Sequence, residues 1–337
     1  MTDGDRGMKP IDPDDEGMHE PTDHSQFNES MYFNFVDSGS GFAVLIRMGN
    51  RVNEGYAECT VLVYLPDGGA AIRFDRAPIT ANERFDAAGL KFEVVEPLRH
   101  VRVTFEGTAN RLTKGTDLAD PKAALGNSPI VPLSLSLDYD SIHLHGMGES
   151  DDGGLAGGSS AIATGHYQGP QRVTGTVELD GERFEVEGLG FRDHSWGPRI
   201  WQGPQWWRWI SCLADENNGF VGWVTKVDGQ VQPATGMVLR DGKISLVSSV
   251  AITSTYGEDP PHYPESIDIS LTTTEGITHR ATGQIFHNVP LRHRRDGTVA
   301  RLAEVIAKYD FDGLEAYGIM EYHDLMDGDV PAGLGQA

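Results

Sequence analysis

The sequence predicts an all-β fold: two antiparallel β-barrels or sandwiches in tandem, with few short helices. Three observations carry that expectation. Short alternating runs are punctuated by Asp180-Gly181, Asp228-Gly229, Asp241-Gly242 and Asp312-Gly313, dipeptides that tolerate positive φ in tight hairpins. Two patterns from the first half of the chain recur in the second. All six tryptophans (Trp196, Trp201, Trp206, Trp207, Trp209 and Trp223) fall between Gly188 and Lys226, which marks one segment as the centre of the molecule.

At 337 residues the chain exceeds what one core usually supports, so two domains are expected. A net charge of −23, from 50 acidic and 27 basic residues, argues against nucleic acid or an anionic membrane surface as a partner. Cys59 and Cys212, each in an apolar run, read as free thiols of a reducing compartment. The opening residues lack the apolar core of a signal peptide, and no apolar run is long enough for a transmembrane segment. The expected location is cytoplasmic.

Taken in order, residues 1–28 are rich in Asp, Glu, Pro and Gly, and too poor in aliphatics to offset ordering, so they are expected to form a disordered arm. Order should begin near Asn28 with the aromatic run Met31 to Val36. Tyr56 to Leu65 and Ala70 to Phe74, joined by Pro66-Asp67-Gly68-Gly69, predict a hairpin. Further strands are expected at Lys91 to Glu96, Val101 to Glu106, Val131 to Tyr139, Arg183 to Val186 and Ser266 to Thr272. Helical periodicity is confined to Leu118 to Leu125 and Arg301 to Lys308.

Tyr32 through Asp37 to Gly41-Phe42 is echoed by Trp207 through Asp215 to Gly219-Phe220. Glu185 to Gly188, followed by Asp193-His194, is echoed by Glu315 to Gly318, followed by His323-Asp324 at the same offset. Both echoes fit a first domain over 29–200, a second over 201–327 and a tail over 328–337, with the seam near residue 200. The flexible Asp151 to Ser160 is expected to be a loop of the first domain, and is the rival boundary.

In a strand, Asp193 and Ser195 face one way while His194 and Trp196 face the other. An imidazole beside an indole suits proton transfer on an apolar substrate, so His194 and Trp196 form the natural pair, with Asp193 as its acid partner. Arg192 and Arg199 flank them. The competing reading is an aromatic seam that locks two domains together. His143-Leu144-His145, His287 and His293 lack a further ligand at metal spacing, so no metal site is expected. Ser195 lacks the Gly-x-Ser-x-Gly turn, and Gly153-Gly154 and Gly157-Gly158 open no helix, so neither a hydrolase nor a nucleotide cofactor is indicated. His166-Tyr167 and Glu321-Tyr322-His323-Asp324 are polar clusters at strand ends.

Asp193-His194-Ser195-Trp196-Gly197, preceded by Gly188-Leu189-Gly190-Phe191 and followed by the tryptophan strand, resembles the central signature of the hydroxyneurosporene synthase (carotenoid hydratase)-like and AttH-like family of tandem lipocalin-like (calycin) proteins. Glu29 to Tyr32 is similar to that family's Glu-Trp-Trp-Tyr opening, and Gly318 to Tyr322 to its closing Gly-Tyr-x-Glu strand. The resemblance implies two lipocalin-like barrels and, in the characterised hydratases, addition of water to an isoprenoid double bond without a cofactor. The implicated His and Trp fall on His194 and Trp196. The implicated Tyr-x-Asp falls on Trp223-Val224-Thr225, which has neither group, and protonating an alkene needs a poised acid.

The resulting expectation is a cofactor-independent acid-base enzyme, a hydro-lyase or an isomerase/cyclase, acting on a hydrophobic isoprenoid-like or polyketide-like small molecule between the domains. His194 and Asp193 would be catalytic, with Trp196, Trp207, Trp209, Trp223, Tyr32, Arg192 and Glu321 binding substrate. A non-catalytic carrier of a hydrophobic molecule and a structural or interaction module are the alternatives.

Overall fold

The computed structural model describes residues 11–146, 162–258 and 260–335. The main strands of the first sheet, short two-residue strands aside, are β1 (Phe27–Val36), β2 (Ala43–Arg51), β3 (Tyr56–Tyr64), β4 (Ala70–Pro78), β5 (Leu90–Glu96), β6 (His100–Leu112), β7 (Ile130–Ser141), β8 (Gly165–Leu179) and β9 (Glu182–Pro198). Those of the second are β10 (Trp206–Asp215), β11 (Asn218–Val227), β12 (Thr235–Arg240), β13 (Lys243–Glu258), β14 (Pro261–Thr273), β15 (Thr278–Arg295), β16 (Thr298–Phe311) and β17 (Leu314–Asp327).

Both sheets are antiparallel meanders that close on themselves. In the first, β9 returns to β1, and β4 meets β6 over Ala70 to Ile72, leaving β5 as an outer hairpin arm. In the second, each strand pairs with the next and β17 returns to β10. Closure removes the unpaired edges that would otherwise invite strand addition. The hairpin tips are built as the sequence indicates. Asp180, Asp228, Asp241 and Asp312 have φ of 54°, 50°, 50° and 47°, and each is followed by a glycine that also has positive φ.

Alternation sets what each strand covers. In β1, Met31, Phe33 and Phe35 point into the first barrel with Val44, Ile46 and Tyr139, while Tyr32 turns outward. In β16, Ala303, Val305 and Ala307 fill the second barrel, and Leu302 and Ile306 join Tyr32, Leu45, Trp207 and Trp209 in a third core between the barrels. The helix expected over Arg301 to Lys308 is therefore a strand. With both faces buried it loses the polar alternation by which strands are recognised. The other helical expectation is met by a 3-10 turn, Gly115–Ala119, and a short helix α1 (Pro121–Asn127).

The first sheet ends at Pro198 and the second begins at Trp206. The two sequence echoes occupy matching places. Tyr32 pairs with Asp193 between the first and last strands of the first barrel, and Trp207 pairs with His323 in the second.

The expectation of a disordered arm over 1–28 fails for residues 11–28, the last two of which open β1, while residues 1–10 lie outside the described residues. Asp12 caps a 3-10 turn, Pro13–Glu16, and the Glu16 carboxylate is buried against the Arg192 guanidinium at 2.7 and 3.0 Å. Composition missed this because the segment is held by ion pairs rather than by apolar burial. The tail is likewise engaged: the Gly333 amide donates to Asp324, and its carbonyl accepts from Arg208. The loop expected at Asp151 to Ser160 lies outside the described residues. No helix among the described residues is long and apolar enough to cross a membrane.

Candidate functional site

Two cavities lie between the barrels, one of about 260 Å³ and one of about 50 Å³. The larger is walled by outward positions of β1 to β4, including Tyr32, Leu45, Arg47, Glu58 and Thr60, and by Leu291, His293, Leu302 and Glu304 of the second barrel. Phe74 and Leu125, both exposed, also line it and make its rim apolar. The smaller holds Trp207, Trp209, Trp223, His166 and Ser195. Asp193, Arg199 and Glu321 border both cavities.

Four carboxyls (Glu58, Asp193, Glu304 and Glu321) and four guanidiniums (Arg47, Arg73, Arg199 and Arg292) thus line the larger cavity. Burial and the neighbouring Asp193 raise Glu321 to about 7, against the opposing pull of a hydrogen bond from Trp207 Nε1 at 3.2 Å and of Arg199 and Arg47. Burial, reinforced by Glu321, holds Glu304 well above the usual carboxylate range. Its Oε2 is buried with no hydrogen-bond partner. A neutral carboxyl is the form that withstands such a setting. Burial and the Arg47 charge lower Arg199 to about 10. Arg199 donates to Ser195 Oγ at 2.7 Å, Arg47 lies 3.5 Å from Glu58, and both guanidiniums sit 5.4 Å from the Trp201 ring centre. The site therefore holds proton donors in Glu304 and Glu321, a further acidic side chain in Asp193 and cations able to hold a polar substituent.

The alternation expected around residue 194 is present, but the faces carry different roles from those expected. Asp193 faces the cavities. His194 points into the first barrel and is fully buried, so it lines neither cavity. Its Nε2 lies 2.6 Å from Glu29 Oε1, and its Nδ1 lies 3.2 Å from the Tyr167 hydroxyl. His19 Nδ1 meets the same Glu29 oxygen at 2.8 Å. Trp196 stacks on His19 with ring centres 3.7 Å apart, and Arg192 is committed to Glu16. His194, Trp196 and Arg192 thus close one end of the first barrel.

Of the remaining expected residues, Asp193, Tyr32, Trp207, Trp209, Trp223 and Glu321 come together between the barrels. Trp209 donates to Gln168 Oε1 at 3.0 Å, and its ring meets Tyr32 edge-on at 5.9 Å. Sequence reasoning missed Glu304 and Arg47. The signal for Glu304 was available: in Leu302-Ala303-Glu304-Val305-Ile306 a period of two puts the lone acid on the outward, inter-barrel face.

A family model described as a domain of unknown function matches residues 12–326. No curated protein matches the sequence. Among solved structures, an AttH-like protein from Nitrosomonas europaea superposes with a TM-score of 0.59 at 16% identity, covering 96% of this chain and 98% of the other. Kievitone hydratase from Nectria haematococca gives 0.59 at 12% identity over 98% and 97% of the two chains. CghA with Sch210972 gives 0.53 at 12% identity over 96% and 98%. At such identities the likeness is one of fold, and that fold is the pair of tandem lipocalin-like barrels implied by the central motif.

Proposed function

The chain belongs to the DUF7064 family, and within it we propose that this protein is an acid-base enzyme that hydrates or dehydrates a hydrophobic small molecule of isoprenoid or polyketide type. The observation that carries this reading is the convergence of Glu304, Glu321 and Asp193 on the larger cavity, the last two also bordering the smaller, with Glu321 raised to about 7. An acid whose protonation changes near neutrality, set beside a second side chain placed to act as base, is the pairing that proton transfer requires.

The larger cavity takes the apolar body of the substrate. Arg47 and Arg199 hold an oxygen substituent, and Glu321 delivers a proton to the reacting carbon or departing hydroxyl. The smaller cavity, about 50 Å³, has room for water. Asp193, on the wall common to both, accepts the proton that the water or the substrate releases. The faces of Trp207, Trp209 and Trp223 favour positive charge developing beside them. Structural likeness to a kievitone hydratase supports the reaction class only as a precedent for the fold.

Incubation with a panel of terpenoids and polyketides, read by mass spectrometry, tests the proposal. A product differing from its substrate by one water, formed by the wild type and not by Glu321→Gln, supports it. Quenching of tryptophan fluorescence with recovery of unmodified ligand alone assigns a carrier and overturns the enzymatic reading. A product of unchanged mass would overturn hydration in favour of isomerisation or cyclisation.

A further inference from the structure

The closed end of the first barrel brings together groups that the proposed reaction does not use. His19, Glu29 and His194 each offer one donor atom within 4.8 Å of the other two. They come from three separate parts of the chain: the N-terminal segment, β1 and β9. Glu29 and His194 are fully buried, and the His19 side chain keeps 22% exposure, which leaves one side open to solvent.

The surroundings orient these donors toward a common point. Glu29 Oε2 accepts from the His19 amide at 3.1 Å and from Asn82 Nδ2 at 3.2 Å, so Oε1 is the oxygen turned to the two imidazoles. Tyr167 hydrogen-bonds to the buried Glu16 carboxylate and also lies 3.2 Å from His194 Nδ1. With its single hydroxyl proton given to Glu16, its oxygen accepts from Nδ1–H of His194. His194 Nε2 lies 2.6 Å and His19 Nδ1 2.8 Å from the one Glu29 oxygen, so three donor atoms of metal-ligating type converge on one point. On the other ring, His19 Nε2 lies 3.8 Å from an Asp15 carboxylate oxygen. An outer polar group on the distal nitrogen, as Tyr167 is for His194, is the usual support of a metal-bound imidazole.

We infer that His19, Glu29 and His194 form a binding site for one divalent transition ion of the zinc type, which ties residues 11–26 to the first barrel. Two neutral imidazoles and one carboxylate oxygen suit Zn²⁺ or Co²⁺ rather than Ca²⁺ or Mg²⁺, and the solvent-facing side supplies the fourth position. The site is independent of the reaction proposed above. It lies on the opposite face of β9 from Asp193, so its role is to clamp the N-terminal segment rather than to touch substrate.

Full-length, tag-free protein stripped with EDTA is titrated with ZnCl₂ by calorimetry and with CoCl₂ by visible absorption, alongside His19→Ala, Glu29→Gln and, as a control, His24→Ala. The wild type and His24→Ala are expected to bind one ion per chain, to develop the absorption of four-coordinate Co²⁺, and to gain thermal stability and resistance to proteolysis within residues 11–26. His19→Ala should bind at least about tenfold more weakly and gain neither. Because the His19 ring is partly exposed, this variant keeps its fold, as circular dichroism would verify, whereas Glu29→Gln alters a buried group and serves only as support. Equal binding by the wild type and His19→Ala would assign the ion to scattered surface groups and overturn the inference. No binding by the wild type would overturn it in favour of a hydrogen-bonded cluster in which His194 carries a proton.

Discussion

Trp207 donates its indole N–H to Glu321 Oε2 at 3.2 Å, so the carboxyl whose protonation matters most is held against an aromatic wall rather than left to rotate in the cavity. That bond favours the ionised form and leaves Glu321 at about 7 instead of still higher, within reach of neutral pH. Asp193 opposes ionisation from the same space, and Arg199 and Arg47 favour it.

Two pH effects follow from Glu321. Its folded value lies above the ordinary 4.5, so the folded state binds the extra proton between these limits. Its stabilising effect is complete below about 4.5 and is lost as pH rises to about 7. Glu321→Gln retains the acceptor for Trp207 and has no such dependence. Urea denaturation should therefore show the variant gaining on the wild type from about pH 5 to about pH 8. The gain should reach a few kcal/mol, since each pH unit separating the folded from the ordinary value corresponds to about 1.4 kcal/mol. In turnover, wild-type kcat/KM should fall as pH rises past about 7, because the donor is lost. Glu321→Gln should be slow at every pH and lack that descending limb.

Glu16→Ala should leave the Arg192 guanidinium buried without its carboxylate. A loss of roughly 3–5 kcal/mol in urea unfolding is expected, the usual consequence of removing one partner of a buried pair. A change below about 0.5 kcal/mol, the range of an ordinary surface substitution, would mean that the N-terminal segment is dispensable.

Thr60→Phe places a ring in the larger cavity from a buried position on its wall. The ring enters open space rather than a packed core, so the melting temperature should change little. Affinity for hydrophobic ligands, read by tryptophan quenching, should fall at least about tenfold, which corresponds to about 1.4 kcal/mol.

Gly313→Ala tests the turn chemistry of the second barrel. Gly313 has φ +84° and open space where a Cβ would stand, so the penalty is conformational alone. About 1–2 kcal/mol should appear in unfolding, with ligand binding unchanged.

The fold was legible because its signals are local. Asp-Gly turns mark hairpin tips wherever they occur, and the echoes around Asp37 and Asp215 repeat because each barrel starts with the same kind of hairpin. The site was legible only in part. Spacing put Asp193 and His194 on opposite faces of a strand, but which face meets the second barrel depends on how the barrels dock. That docking turns Asp193 outward and gives His194 to Glu29. Glu304 was legible only once β16 is read as a strand: with both faces covered, Arg301 to Lys308 also fits a helical period, and only a period of two sets the lone acid on the inter-barrel face. His19 was hidden because its segment has the composition of an unfolded chain, and the groups that hold it, Glu29 and the Trp196 ring, come from distant strands.

Both barrel interiors are packed with aliphatic and aromatic side chains, and the space for a ligand lies outside them, along outward positions of strands whose inward positions form the cores. The two-residue repeat of a β-strand therefore separates two requirements that compete in a protein whose ligand enters the barrel itself. Substitution at Leu45, Thr60 or Leu302 reshapes the wall that meets the ligand, while Ile46, Val61 and Ala303 continue to hold the barrels closed. Change in what the protein recognises need not pass through loss of its fold.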